Sequence, residues 1–230
     1  MPVLEGWELT LDVDSVLRGQ GADPAAIRSR SPYLVEMAAR ALEVGRPLLK
    51  PHAIYQEFGV EGLRHERLAL VSGGTLSGPL IAQHLGPAER VVVLLCTVGS
   101  ELEEHTAEVM ESELVFGLAL DGVGSAAVEA LANWACRHFE EEAALSGMET
   151  TIPLSPGMVG WPVDVGQRQI FGLLGKTDVT LTEYSTMIPR KSLSMVLGVG
   201  IGISSGGRTC DFCSMRETCR YQDHYEPTAA

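Results

Sequence analysis

Three cysteines near the C-terminal end, Cys210, Cys213 and Cys219 in CDFCSMRETC, stand in a C-x2-C-x5-C spacing. Two thiolates separated by two residues turn toward one centre in many zinc and iron–sulfur sites, and a third nearby thiol adds a further ligand. Asp211, Arg216 and Arg220 are interspersed, so this is no apolar strand with buried thiols. The arginines, with Arg208, favour the thiolate form. The spacing therefore points to a metal centre, with redox or structural thiols as the other reading. A fourth ligand would come from Cys96, Cys136, Asp211, His224, a second subunit or solvent.

A second stretch, LSPGMVGWPVDVGQRQIFGLL, is built differently. Ser155-Pro156-Gly157 and Gly160-Trp161-Pro162 make a loop of conformational specialists ahead of a helix. Glycines let backbone approach a ligand closely, and prolines fix the loop at low entropy cost. Gly157 and Gly160 fit that role whether or not a ligand binds. Trp161 either closes the core beneath the loop or lines a cleft, and Gln167 is placed to brace the loop. Other chemistries lack their signatures. GVGSAA and GVGIGISSGG have no Lys-Ser/Thr pair of a P-loop and no strand-to-helix context of a dinucleotide fingerprint. There is no H-E-x-x-H zinc motif, and the G-x-S-x-G letters of GISSG (202–206) lack the strand-to-helix context of a nucleophile elbow.

The elements that must carry these residues read as one α+β unit. Asp23-Pro24 and Ser31-Pro32 each predict a cap followed by proline in the first helical turn. HAIYQEF and RLALV read as short strands around a turn at Gly59–Gly62, and GTLSGPLIAQHLGPAE as a short helix ended by Gly86 and Pro87. VVVLLCTVG is a strand that needs cover on both faces. Residues 100–147 predict two helices broken or bent near Gly122–Gly124, with Asp121 as a cap or kink residue and small residues forming the packed centre. DVTLTEYSTMI reads as extended. PRKSLSMVLGVGIGI reads as a turn and a second strand, with Ser192 and Ser194 on one face.

At 230 residues the chain can bury a sizeable core, and 45% hydrophobic with 20% charged residues is an ordinary globular balance. A formal net charge of −13 disfavours nucleic acid or an anionic membrane as the main partner. MPVLEGWELTLDVD carries acids where a signal peptide has a basic region, and the apolar runs VVVLLC and MVLGVGIGI are too short to span a bilayer. Five cysteines without such a signal favour the cytoplasm and free or metal-bound thiols.

The order SPG, GWP, a helix with Gln167 and Phe171, Leu181-Thr182-Glu183, and Pro189 before Lys191-Ser192-x-Ser194 resembles the reactivation domain of cobalamin-dependent methionine synthase. It is closer still to free-standing proteins that carry this domain alone. The resemblance covers roughly residues 50–200. It implies a curved fold with a mixed or antiparallel sheet, a helical layer and a Cys-rich tail. The corresponding division is an N-terminal extension (1–50), the activation-like domain (51–205) and the C-terminal segment (206–230). In methionine synthase the domain binds S-adenosylmethionine beside cobalamin while an electron donor reduces cob(II)alamin, and the methyl group traps the product. Carried over, the binding residues are Ser155, Pro156, Gly157, Gly160, Trp161, Gln167, Thr182, Glu183, Lys191, Ser192 and Ser194. Glu183 alternatively pairs with Lys191 or Arg190. The loop departs from the pattern at two positions, with Pro153 where an arginine is expected and Met158 where a tyrosine is, and an acid expected on the helix upstream aligns nearest Arg137, with Glu129 or Glu140 taking the role under a register shift.

The function implied is an accessory protein for corrinoid-dependent methyl transfer, supporting reactivation in a methionine synthase that lacks this domain. Cobalamin would come from the partner, and an iron–sulfur cluster at the cysteines would suit electron delivery better than zinc. The alternatives are a metal or iron–sulfur redox protein on the same fold without S-adenosylmethionine, and a non-catalytic docking protein of a corrinoid complex.

Overall fold

The computed structural model describes residues 2–71, 73–203 and 207–217. Its elements run β1 (Val3–Leu4), α1 (Val13–Gly19), α2 (Pro24–Arg30), α3 (Pro32–Gly45), β2 (His52–Arg64), β3 (Arg67–Leu70), β4 (Thr75–Ser77) and α4 (Pro79–Leu85). There follow β5 (Arg90–Thr97), α5 (Glu101–Met110), α6 (Leu114–Leu145), β6 (Glu149–Thr150), α7 (Val163–Leu174), β7 (Thr180–Leu181), β8 (Met187–Ile188) and β9 (Ser192–Gly200). One sheet orders its strands β4-β3-β2-β5-β9-β6, with β1 also on β2, and every pairing is antiparallel. β7 and β8 make a separate hairpin.

The apolar run of β5 is explained by cover on both faces. Val92, Leu94 and Cys96 join Met195, Leu197 and Val199 of β9 in a core against α6. Val91, Val93 and Leu95 enter a second core with α4, α7 and Trp161. A third cluster gathers α1, α3, α5 and the first half of α6 around Val16, Ala41, Leu102 and Leu120. Thus α1 and α3 form a wall against α6, and β1 adds to the sheet on β2. Asp12 and Asp23 cap α1 and α2 with their side chains, and Pro24 and Pro32 occupy the first turns that follow.

Three local expectations change. The TLS of GTLSGPLIAQHLGPAE, read as part of a helix, is strand β4, and α4 begins only at Pro79. The turn between β2 and β3 is not at Gly59–Gly62. β2 continues to Arg64, that glycine pair holds a register shift, and His65 and Glu66 make the turn with φ of 46° and 61°. Nor does α6 break at Gly122–Gly124; the interruption falls earlier, at 111–113. Those glycines serve contact. A Cβ on Gly122 would lie 2.8 Å from Val16 O, and one on Gly19 only 2.4 Å from Gly122 O, so α1 crosses α6 at backbone distance. Packing of this kind outweighs the cost of about 1 kcal/mol that a helical glycine carries relative to alanine.

By length and composition α6 could cross a membrane, but 61% of its most apolar window is buried inside the fold. It is the helix on which two of the three cores are built.

Candidate functional site: the Ser155–Pro162 loop and its surroundings

After β6 the chain follows β9. Thr151 N donates to Gly198 O, and Leu154 exchanges hydrogen bonds of 2.9 Å with Val196 in both directions. The chain then turns out at Ser155. Gly157 N donates to Trp161 O at 2.8 Å and Trp161 N to Met158 O at 2.9 Å, with Gly157 and Gly160 at φ of 102° and 89°. Only glycine takes such angles without strain. A Cβ on Gly157 would also stand 3.0 Å from Val163 Cγ2, and one on Gly160 3.1 Å from Leu80 N.

Trp161 resolves toward the core. It is 0% exposed, and its Nε1 donates to Gln169 Oε1 at 3.1 Å. The same Oε1 accepts from Ser77 N at 3.2 Å, while Gln169 Nε2 donates to Ser77 Oγ at 2.6 Å. Gln169, two residues beyond the predicted brace, is therefore what ties loop, α7 and β4 together. Gln167 instead accepts from Ser194 Oγ at 2.9 Å, fastening α7 to β9. Gly166 is a further residue that sequence reasoning passed over. A Cβ there would meet Pro156 at 2.8 Å and Trp161 at 2.9 Å, so α7 presses its backbone onto the loop.

Ser192 and Ser194 share one face of β9, as period-two alternation required, and both are buried rather than half-exposed. Ser192 Oγ lies 2.7 Å from Pro189 O and 2.9 Å from Thr97 Oγ1. Lys191 crosses to α6: its Nζ is 2.9 Å from both Asp121 Oδ1 and Ser125 Oγ. Gly124 leaves room for this stem, since a Cβ there would come within 3.0 Å of Lys191 Cγ. Asp121 is thus the counter-ion of a lysine and neither a cap nor a kink. Arg190 pairs with Glu103 at 2.6 Å. Both cations proposed for Glu183 consequently have other carboxylates. Thr182 and Glu183 sit exposed at the tip of the β7–β8 hairpin, where Thr182 Oγ1 accepts from Thr186 N at 3.1 Å.

The two positions that depart from the expected pattern point inward. Pro153 is buried, and Met158 is nearly so, with its sulfur 3.1 Å from Ser155 N. Neither offers a polar group to the loop's outer side. That side is occupied instead by the cysteine-bearing segment. Val159 N donates to Phe212 O at 2.8 Å, Ser214 Oγ to Gly157 O at 3.2 Å, and Met158 bridges Cys213 in antiparallel fashion. Phe212 packs on the α4–α7 core and meets the His84 ring edge-on, with centroids 4.7 Å apart. Burial holds the His84 pKa below its ordinary value, and its Nε2 has no hydrogen-bond partner.

Cys210 and Cys213 are half-buried in and just after a 3-10 turn, Thr209–Phe212, while Cys219 lies outside the described residues, as do Arg220 and His224. Among the described residues no three His, Cys, Asp or Glu side chains converge as a metal site. Cys96 and Cys136 are excluded as the missing ligand. They belong to the α6-side core, on the opposite face of the sheet from Phe212, and burial pushes Cys96 up to about 12 and Cys136 well above its ordinary value. Asp211 accepts from Arg208 N and pairs with Arg216 at 3.2 Å.

No family model matches the chain, and no curated protein matches its sequence. Among solved structures, a crystal structure of the MetH reactivation domain bound to AdoHcy superposes with a TM-score of 0.58, covering 83% of this chain and 70% of that one at 15% identity. The fold is that of the MetH reactivation domain. The likeness accounts for the antiparallel, curled sheet and the helical layer expected from the motif order. Within that fold, the Ser155–Pro162 loop combines two glycines in the left-handed region with a fully buried tryptophan, which makes it a rigid backbone cradle. Its side chains are one hydroxyl, Ser155, the Trp161 indole and apolar groups, so what it offers a ligand is mainly backbone.

Proposed function

We propose that the chain is an accessory protein for corrinoid-dependent methyl transfer, which presents S-adenosylmethionine to cobalamin carried by a partner during reductive reactivation of a methionine synthase lacking this domain. The observation that carries the reading is the likeness, over 83% of the chain, to a reactivation domain bound to AdoHcy, the demethylated form of that cofactor. The glycine cradle supports it, because a Cβ at Gly157 or Gly160 would crowd Val163 or Leu80 and stiffen the backbone away from its present path. When bound, S-adenosylmethionine supplies an activated methyl group. The chain's own part is positional: Ser155, Gly157 and Gly160 hold the adenosyl portion through backbone and hydroxyl groups, and the Lys191–Asp121 pair steadies the β9 side. With Pro153 and Met158 in place of a guanidinium and a phenol, affinity rests on fewer polar contacts than in the pattern that it resembles.

The outer polar groups of the loop are engaged by residues 212–214, so ligand binding competes with that segment. Calorimetric titration of S-adenosylmethionine and AdoHcy into wild type, Phe212→Ala and Gly157→Val tests this. Binding should strengthen in Phe212→Ala and disappear in Gly157→Val while its melting curve shows a folded protein. No binding to wild type or to Phe212→Ala would refute the cofactor assignment. Binding to a corrinoid methionine synthase, assayed on the same samples by a return of methylation activity under reducing conditions, tests the partner.

The second reading places a metal or iron–sulfur centre on Cys210, Cys213 and Cys219, with the chain acting in electron delivery. The contact of Cys213 with Met158 favours it, since a centre there would lie against the loop. Anaerobically prepared protein should then contain iron and acid-labile sulfide in matching amounts, or zinc alone for a structural clip, and each cysteine-to-serine change should release it.

A further inference from the structure

Beyond the loop, the tip of the β2–β3 hairpin sets two arginines side by side, with Glu61 and Glu66 in the same hairpin. The chain has 30 acidic against 17 basic residues, and most of its structurally engaged arginines have a close carboxylate: Arg28 with Asp14, Arg40 with Glu113, Arg90 with Glu57, Arg190 with Glu103. Arg64 and Arg67 have none among the described residues, although they are directly opposite one another across β2 and β3. Like charges in that position repel. The turn between them is made by His65 and Glu66, both in the left-handed region that a hairpin of this type normally gives to Asn-Gly. The hairpin tip therefore keeps two unfavourable local features together.

Strand register shows what those features frame. Gly62 pairs with Ala69, Arg64 with Arg67, Ala69 with Thr75 and Arg67 with Ser77, so all of these share one face of the ribbon, while Leu68 and Leu76 turn to the core on the other. Gly62, Ala69 and Thr75 form a low floor across three strands. The hollow above it, about 670 Å³, is walled by Glu61, Arg64, His65 and Arg67. A second hollow of about 330 Å³ adjoins it at Thr75 and is lined by Arg168, whose nearest acid, Asp164, is 3.9 Å away.

We infer that this face binds a small phosphate-bearing molecule. The flat guanidinium forks of Arg64 and Arg67 fit tetrahedral oxyanions bidentately, and Thr75 offers a hydroxyl donor on the floor between them and Arg168. An oxyanion between Arg64 and Arg67 turns their mutual repulsion into shared attraction. Glu61 on the same wall disfavours a ligand that is anionic throughout and leaves an acceptor for the hydroxyl or amine of a polar, uncharged portion. The site is distinct from the Ser155–Pro162 loop and does not depend on what that loop binds. It is nevertheless connected to it, because Ser77, two residues from Thr75, is the residue that Gln169 grips while holding Trp161.

The test uses the full chain and two probes, inorganic pyrophosphate and ribose 5-phosphate, followed by calorimetry and by amide NMR shifts. Saturable one-to-one binding, with shifts concentrated at Gly62, Ala69 and Thr75, is expected for at least one probe. Arg64→Gln and Arg67→Gln should each weaken it about tenfold or more, Arg67→Lys less, and neither variant should lower the melting temperature of the ligand-free protein, because each removes a repulsion. Shifts spread over the surface without saturation would overturn the inference, as would unchanged affinity in the Arg64→Gln/Arg67→Gln double variant. Binding only of an acidic polypeptide, with no binding of either probe, would overturn it in favour of a protein-docking face.

Discussion

Replacing Gln169 by leucine is the sharpest perturbation of the loop's support, because one side chain serves three partners. Leucine has nearly the same volume, so packing changes little, but Trp161 Nε1 and Ser77 N both lose their acceptor and Ser77 Oγ loses its donor. Trp161 is fully buried and water cannot replace the amide, so its stranded N–H costs about 1–3 kcal/mol. Ser77 is half-buried and recovers part of its loss from solvent, adding up to about 1 kcal/mol. The sum, roughly 1–4 kcal/mol, is a large share of a total stability of about 5–15 kcal/mol. For a chain of this length it lowers the melting temperature by about 2–16 °C. Urea unfolding of Gln169→Leu, Trp161→Phe and the double variant isolates the contact. Phenylalanine has no N–H to strand, so the double variant should be more stable than the two single losses summed, by about 1 kcal/mol or more. Additivity within about 0.5 kcal/mol would show that the indole–amide bond contributes nothing specific and refute the reasoning.

Three further outcomes follow from other features. His84 has a folded-state pKa below its ordinary 6.5, so on acidification the unfolded chain takes up a proton that the folded one refuses. Stability should therefore fall with pH beneath 6.5, and urea titrations of His84→Leu should show a flatter decline there. With burial pushing Cys96 up to about 12 and raising Cys136, neither thiol should react with iodoacetamide at neutral pH until the chain unfolds, as pulsed alkylation and mass spectrometry would report. Gly19→Ala should destabilise by about 1–3 kcal/mol in denaturant titrations by forcing α1 off α6, whereas Gly172→Ala, in α7 with open space around it, should stabilise by about 0.5–1 kcal/mol.

Where one property of a residue type dominates, the sequence was readable. VVVLLC had to be covered on both sides because no residue in it tolerates water, and α6 and α7 supply that cover. Ser192 and Ser194 share a face because a strand alternates. The motif order from Ser155 to Ser194 also led to the right fold, since spacing along the chain tracks the elements that superpose on a reactivation domain. Competition between properties hid the rest. Gly59–Gly62 looks like a turn by composition but holds a register shift, and the real turn uses residues that seldom adopt positive φ. Gly122–Gly124 looks like a helix break, yet tertiary contacts with Val16, Gly19 and Lys191 claim the missing side chains. Asp121 and Lys191 are seventy positions apart, so neither alone announces the pair; a lone carboxylate in the apolar first half of α6 was the available hint. The seat of Phe212 on the loop depends on backbone hydrogen bonds, which leave no trace in residue types.

The strand order has a consequence for the order in which the molecule can be assembled. β9 lies between β5 and β6, and among the described residues β6 has no other partner in the sheet. While the chain emerges from the ribosome, α6 and β5 are made long before Ser192–Gly200. Through that interval β5 presents a naked edge of valines and leucines, and α6 faces a floor with one plank missing. Non-local closure of this kind is slow, and an unpaired apolar edge recruits other chains. A chain halted before Ser192 would therefore be a source of aggregates rather than a smaller working protein, and the last strand of the sheet is the one that makes all the earlier ones safe.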